Sequence, residues 1–212
     1  MKEIMISVLE WTGSIGALVC PAPVVKCLAA ARNHFYTGYL KHRFARIGRS
    51  VFFWKVRKLH GEHFMYIGDG NVFENDLQLT AWENNDKIPA FSIGNNCLFR
   101  RGCHISIANG LTIGDNLLTG TNVLITHNDH GSSHYEVLQL PPLKRGIVSK
   151  GPIVIGKNVW LGNNVCVMPR VTIGDGAIVG ANSVITHDIP AYTIAAGIPA
   201  QVVKKEDKGT KA

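Results

Sequence analysis

The 212-residue sequence predicts an all-β solenoid. From Ile155 to Ile185 every sixth residue is aliphatic: Ile155, Leu161, Val167, Ile173, Val179 and Ile185. The residues two before each of these are also small or aliphatic: Ile153, Val159, Val165, Val171, Ala177 and Ser183. Gly156, Gly162, Gly174 and Gly180 follow four of the six. A period of six fits neither the helical repeat of about 3.6 nor the strand repeat of about 2. It describes a chain that turns a corner every six residues and points one side chain inward on each flat. Internal repetition of this kind outranks local propensity in deciding a fold.

Residues 1–46 read differently. Ile4, Val8, Leu9 and Trp11 are spaced as a helical stripe, which Pro21-Ala-Pro23 interrupts. A second helix is expected from about Val24 to Arg43. Together they are expected to cap the solenoid, whose first coil would otherwise expose a cross-section of core. Residues 47–205 then form the solenoid and 206–212 a disordered tail. Glu3 and Glu10 interrupt any secretory-type apolar run. The charge-free stretch 11–25 contains two prolines and is shorter than the ~20 residues of a spanning helix.

Within the solenoid, Ile47-Gly48 and Ile67-Gly68 are isolated candidates for the beat. It runs from Ile93-Gly94 through Phe99 and Ile105, slips by two residues near 105–107, and continues through Ile113, Thr119 and Ile125. It then stops until Ile155. Since that gap is itself a multiple of six, a loop can leave near 126 and return near 152 without changing the corner phase. The ejected segment holds His127, His130 and His134 and the apolar anchors Tyr135, Val137, Leu138, Leu140 and Leu143. Long loops with such content carry function more often than they link. Past Ile185, Pro190 and Pro199 break the rhythm, so an extended closing flap is expected.

Apolar residues make up 46% of the chain, enough for a core, and 22 glycines suit a fold made of corners. The formal charge of +7 points to anionic partners. Lys and Arg crowd 41–58 and recur at Lys204, Lys205, Lys208 and Lys211. The stretch 43–58 mixes these cations with Phe44, Phe52, Phe53 and Trp54. That is the composition of a membrane-surface or RNA patch, against the plainer reading of a first coil with a charged outer face. The plainer reading is favoured, peripheral membrane association stays open beside it, and a nucleic-acid partner is not expected. Five cysteines without a CxxC pair suit reduced thiols in a cytoplasmic protein.

The phrases Ile155-Gly-Lys-Asn-Val-Trp-Leu-Gly-Asn-Asn-Val165, Val171-Thr-Ile-Gly-Asp-Gly-Ala-Ile-Val-Gly-Ala-Asn-Ser-Val-Ile-Thr186 and Ala196-Gly-Ile-Pro-Ala200 resemble the hexapeptide-repeat acyltransferases, a family of left-handed parallel β-helices. The resemblance covers about residues 65–205. The Asn-Val-Trp-Leu-Gly phrase and the Ala-Gly-x-Pro-Ala ending are similar to the O-acetyltransferase branch that includes maltose and galactoside acetyltransferases. The loop text from His130-Gly131 to Ser149-Lys-Gly-Pro152 is most similar to members that acetylate sugars of bacterial surface polysaccharides. The resemblance implies a homotrimer with active sites between subunits, acetyl-CoA as acyl donor, and a sugar, sugar-nucleotide or lipid-linked acceptor.

Such a reaction needs a base to take the proton of the acceptor hydroxyl, and histidine titrates near neutrality. In the resembling branch the catalytic His lies eight residues past an Asn-Val that begins a flat. Asn122-Val123 places it at His130. Where maltose and galactoside members carry Pro after that His, this chain has Gly131, which leaves His127 as the alternative base. The resemblance further puts Trp160 beside the thioester arm, Asn163 at the acetyl end, Ala181 along pantetheine, and Thr186 and Lys204 near the nucleotide. His187 and Gln201 stand where the family often has cations. An acceptor-binding Asn of the galactoside enzymes falls near Cys103, so a different acceptor is expected.

Other readings remain open: N-acetylation of an amino sugar, a non-catalytic trimeric scaffold, and a zinc enzyme of carbonic anhydrase type on the same solenoid. The last would draw on His127, His130, His134 and His104, but Asn128, Asp129 and Gly131 disfavour the helix that this spacing needs. No metal is expected.

Overall fold

The computed structural model describes residues 6–7, 22–83, 90–126 and 129–205. Short strands stack in parallel into three sheets, which form the three faces of a left-handed parallel β-helix. The first face runs Arg46–Ile47, Met65–Ile67, Ala90–Ile93, Gly110–Ile113, Ile153–Ile155, Thr172–Ile173. The second runs Phe52–Phe53, Val72–Phe73, Leu98–Phe99, Leu118–Thr119, Trp160–Leu161, Ile178–Val179, Thr193–Gly197, Ala200–Lys205. The third runs Val56–His60, Leu77–Ala81, His104–Ile107, Leu124–Thr126, Cys166–Val167, Val184–Ile185.

The six-residue beat sorts onto these faces. Ile67, Ile93, Ile113, Ile155 and Ile173 point inward from the first face, Leu79, Ile105, Ile125, Val167 and Ile185 from the third, and all are buried. On the second face Phe53, Phe73 and Phe99 stack in a column, with ring centroids 4.7 and 4.8 Å apart. Ile47 and Ile67 are paired rungs of the first face rather than isolated signals. The corners need a left-handed residue, and asparagine tolerates that conformation best after glycine. Asn96, Asn116, Asn122, Asn158, Asn164 and Asn182 all adopt φ between 55° and 60°. The side chains of Asn122, Asn164 and Asn182 hydrogen-bond to one another in a ladder up one edge.

One corner alone absorbs every change in coil length. Along the first face 20 residues separate Ile47 from Ile67, 26 separate Ile67 from Ile93, 20 separate Ile93 from Ile113, 42 separate Ile113 from Ile155, and 18 separate Ile155 from Ile173. The six-residue steps from the first face to the second and from the second to the third hold throughout. All extra residues therefore leave between the third face and the first. The two-residue slip expected near 105–107 is the bend at Ala108-Asn109. The largest excursion leaves after Thr126, which is paired with Ser106, and rejoins at Ile153, which is paired with Leu111.

At the first coil lies helix α1, Ala22–Lys41. Pro23 falls in its first turn, where a missing N–H costs nothing. The Thr37 hydroxyl accepts a hydrogen bond from the Phe53 N–H at 3.0 Å, and Leu40 and Phe44 enter the core, Phe44 stacking on Phe53. The expected helical stripe at 4–11 and the tail 206–212 lie, apart from residues 6–7, outside the described residues. At the other end the closing flap is an antiparallel hairpin, Thr193–Gly197 with Ala200–Lys205, laid along the second face.

Candidate active site

The excursion is an ordered arm. Asp129–His130 pairs antiparallel with Ile147–Val148, His130 standing opposite Ile147. The turn at Gly131 has φ +81°, and a Cβ there would meet Val137 Cγ1 at 2.7 Å and Arg145 Cβ at 2.9 Å. Between the ribbon strands lie a helical turn, Tyr135–Leu138, and a tight turn, Pro142–Lys144. The Arg145 guanidinium donates to the carbonyls of Leu140 (2.8 Å) and Leu138 (2.9 Å), fastening that turn to the ribbon. This explains why a loop with so many apolar anchors keeps a shape. Yet Tyr135, Leu138, Leu140 and Leu143 are exposed in the single chain, Leu143 at 94%. The arm is held by its own hydrogen bonds and leaves an apolar surface uncovered. His127 lies outside the described residues.

Beside the root of this arm, the third face turns a polar surface outward. His104 stands in register with Gln78 below and Leu124 above. Burial, with Lys58 and Arg57 nearby, pushes the His104 imidazole below its ordinary pKa and keeps it neutral at pH 7. At the other edge of this face a cleft of about 420 Å³ is lined by Arg57, Asp76, Gln78, Arg101, Thr121 and Asn122. Arg101 Nε donates to Asp76 Oδ2 at 3.1 Å. Sequence reasoning missed this cleft, because Arg57, Gln78 and Arg101 meet only through strand registers that no local motif announces.

The second face turns a different surface outward. Phe52, Val72, Leu98, Leu118, Trp160, Ile178 and Ile194 stand in one continuous register column. Trp160 is half exposed within it. Asn163 and Ala181 occupy the corner between the second and third faces. The Asn163 Oδ1 accepts the Thr121 N–H at 2.8 Å, and a Cβ on Gly162 would lie 2.6 Å from Ala181 N, so successive coils pass close together here. Lys204 pairs with Ile194 at the edge of the same face. Thr186, hydrogen-bonded to His187 Nδ1 at 2.8 Å, instead lies past the third face, on the edge from which the arm leaves. The residues expected to serve one reaction thus divide within one chain. Trp160, Asn163, Ala181 and Lys204 gather around the second face and its trailing corner, whereas His130 and Thr186 occupy the opposite edge of the third. Among the described residues no three His, Cys, Asp or Glu side chains gather as metal ligands do.

Residues 152–187, the most regular coils, match the bacterial transferase hexapeptide family (six repeats). Those coils carry the hexapeptide repeat that this family model describes. Over 112 residues the chain is 43% identical to the "Putative lipopolysaccharide biosynthesis O-acetyl transferase WbbJ" of Escherichia coli K12, covering 51% of this chain and 57% of that protein. It is 42% identical over 95 residues to the galactoside O-acetyltransferase of the same organism, covering 45% of this chain and 44% of that one. The chain spans about half the length of these curated relatives. Among solved structures, galactoside acetyltransferase in complex with coenzyme A superposes with a TM-score of 0.52 at 27% identity, covering 80% of this chain and 68% of that one.

Proposed function

We propose that this hexapeptide protein is an acetyl-CoA-dependent O-acetyltransferase acting on a sugar hydroxyl of a surface polysaccharide or its precursor, with His130 as general base. The observation that carries the reading is the division of the site. The expected donor cradle (Trp160, Asn163, Ala181, Lys204) and the arm bearing His130 lie on different edges of one solenoid. A single copy cannot bring them together, but a ring of copies can, each arm reaching the next copy's donor edge. The outward column from Phe52 to Ile194 supplies an apolar seam for such a ring, and the exposed apolar side chains of the arm supply a second contact. A homotrimer is the assembly that the family resemblance implies. The curated relatives, named for O-acetyl transfer in lipopolysaccharide biosynthesis and on galactosides, support the sugar acceptor.

In this mechanism the His130 imidazole takes the proton of the acceptor hydroxyl as that oxygen attacks the thioester carbonyl. The tetrahedral intermediate collapses with cleavage of the C–S bond, and the imidazolium returns its proton to the departing thiolate. The small residues Gly162 and Ala181, where successive coils pass close together, suit the pantetheine arm, which needs backbone contact without large intruding side chains. The polar third face, with neutral His104, Gln78 and Arg57 beside the cleft, suits a hydroxyl-rich acceptor.

The test is a thiol-release assay with acetyl-CoA across sugar nucleotides and lipid-linked oligosaccharides. One acceptor class should stimulate release well above the rate of simple hydrolysis. Failure of the intact protein to bind coenzyme A would overturn the reading in favour of a scaffold.

A further inference from the structure

Helix α1 has a buried face and, on the opposite side, an exposed apolar face. At about 100° per residue, Asn33, Thr37 and Leu40 share one face, and all three are buried against the first coil. Val24, Leu28, Ala31, Phe35 and Tyr39 fall within a narrow stripe diametrically opposite. That stripe is open: Leu28 is 62% exposed, Phe35 81% and Tyr39 67%. The helix therefore packs on the solenoid and still presents a row of large apolar side chains outward. Isolated exposed apolar residues need no explanation, but an aligned stripe marks an interaction site.

The charge distribution says what covers it. Between residues 11 and 61 the chain has nine Lys and Arg and no Asp or Glu. From 62 onward 12 basic residues face 13 acidic ones. The whole positive excess thus belongs to the N-terminal cap and the first coil. Lys26, Arg32 and Lys41 lie on the helix itself, with Arg46, Arg49, Lys55, Arg57 and Lys58 on the coil beneath. Trp54, 45% exposed, adds an apolar side chain on the first coil beside the helix; it packs edge-on against Phe52, which in turn meets His34 of the helix. A second protein copy would bring the same positive charge to such a contact. An anionic bilayer surface answers both features, since acyl chains accept the stripe while headgroups neutralise the cations. No described helix is long and apolar enough to cross a membrane, which agrees with a helix lying in the interface.

We infer that α1 is an interfacial anchor: its Val24–Leu28–Phe35–Tyr39 stripe enters an anionic bilayer surface while the solenoid rides on its opposite face. The inference is independent of the acetyl-transfer reading.

The test is flotation of the intact protein with vesicles of phosphatidylcholine alone and of phosphatidylcholine mixed with phosphatidylglycerol. The wild-type chain should float with the mixed vesicles, at least tenfold less with neutral ones, and progressively less as salt rises. The double variant Leu28→Glu/Phe35→Glu should lose at least tenfold in vesicle binding while keeping its circular dichroism and its size in solution. The charge variant Lys26→Gln/Arg32→Gln/Lys41→Gln leaves the stripe intact and should weaken binding about fivefold per cation removed. Equal binding to neutral and anionic vesicles would overturn the inference, as would undiminished binding of the double variant. A double variant that changes the oligomer size would assign the stripe to a seam between copies and overturn it equally.

Discussion

Gly131 donates its N–H to the carbonyl of Gly146 at 2.8 Å, one residue past the rung where His130 stands opposite Ile147. The two glycines face each other across the ribbon and are not equivalent. Gly131 holds a left-handed φ with no room for a Cβ, whereas a Cβ on Gly146 meets nothing within 4 Å. Gly131→Ala must push Val137 or Arg145 aside and tilt the strand that carries His130. A displacement of about 1 Å at a catalytic group costs about 10²-fold in rate. The expected result is a kcat loss of that order for Gly131→Ala, an unchanged affinity for coenzyme A, and near-normal activity for Gly146→Ala. Equal behaviour of the two variants would detach the ribbon from the chemistry.

The base assignment separates by paired substitution. General-base catalysis contributes about 10²–10⁴-fold, so His130→Ala should lose that factor in kcat while the assembly keeps its size. His127→Ala should lose far less. A reversal of the two, read by single-turnover acetyl transfer, would move the base to His127.

The core makes a stability prediction independent of function. Phe73 is fully buried between Phe53 and Phe99. Phe73→Ala leaves a cavity in the middle of a stack that cannot slide closed, because its neighbours belong to separate, register-locked coils. Such truncations cost about 3–5 kcal/mol. In a chain of this length that lowers the melting temperature by roughly 10 °C or more. Thermal unfolding followed by circular dichroism measures it; a shift under about 3 °C would mean that the column repacks.

The parts of the fold that could be read in advance are those where one residue reports on a local event. Ile155 to Ile185 spell out inward flats and Gly156 to Gly180 the close corners, so the prism and its phase followed directly. Ile47 and Ile67 looked isolated because the coil between them is lengthened at one corner, and a fixed period cannot see that. Outward positions were opaque for a different reason. Leu98, Leu118 and Trp160 form a column only through strand pairings far apart in sequence, and nothing in their own neighbourhoods marks them. The cleft at Arg57, Gln78 and Arg101 was hidden in the same way. His130 and His127 were put forward as bases from a family phrase, and the ribbon that holds His130 comes from Gly131 and Arg145, which the sequence does not set apart from ordinary loop residues.

The cysteines yield a pH prediction whose sign is fixed by burial. The Cys97 thiol is pushed up to about 11 and the Cys103 thiol to about 12, in both cases mainly because a thiolate would be formed away from water. Cys27 on the outer part of α1 is exposed. Only the thiolate reacts, so a maleimide at pH 8 should tag Cys27 within minutes and spare Cys97 and Cys103 until the chain unfolds. The same shifts bear on stability. An unfolded thiol titrates near its ordinary value of 9, below both folded values, so the folded chain holds more protons between the two. The stabilisation is therefore complete below pH 9 and is lost as the pH climbs from there toward 12. Mass spectrometry of labelled peptides at pH 8 checks the first statement, and denaturant unfolding compared at pH 8 and pH 10.5 checks the second. Rapid labelling of Cys103 in the folded protein at pH 8 would mean that the solenoid opens at its third face far more often than its continuous core predicts.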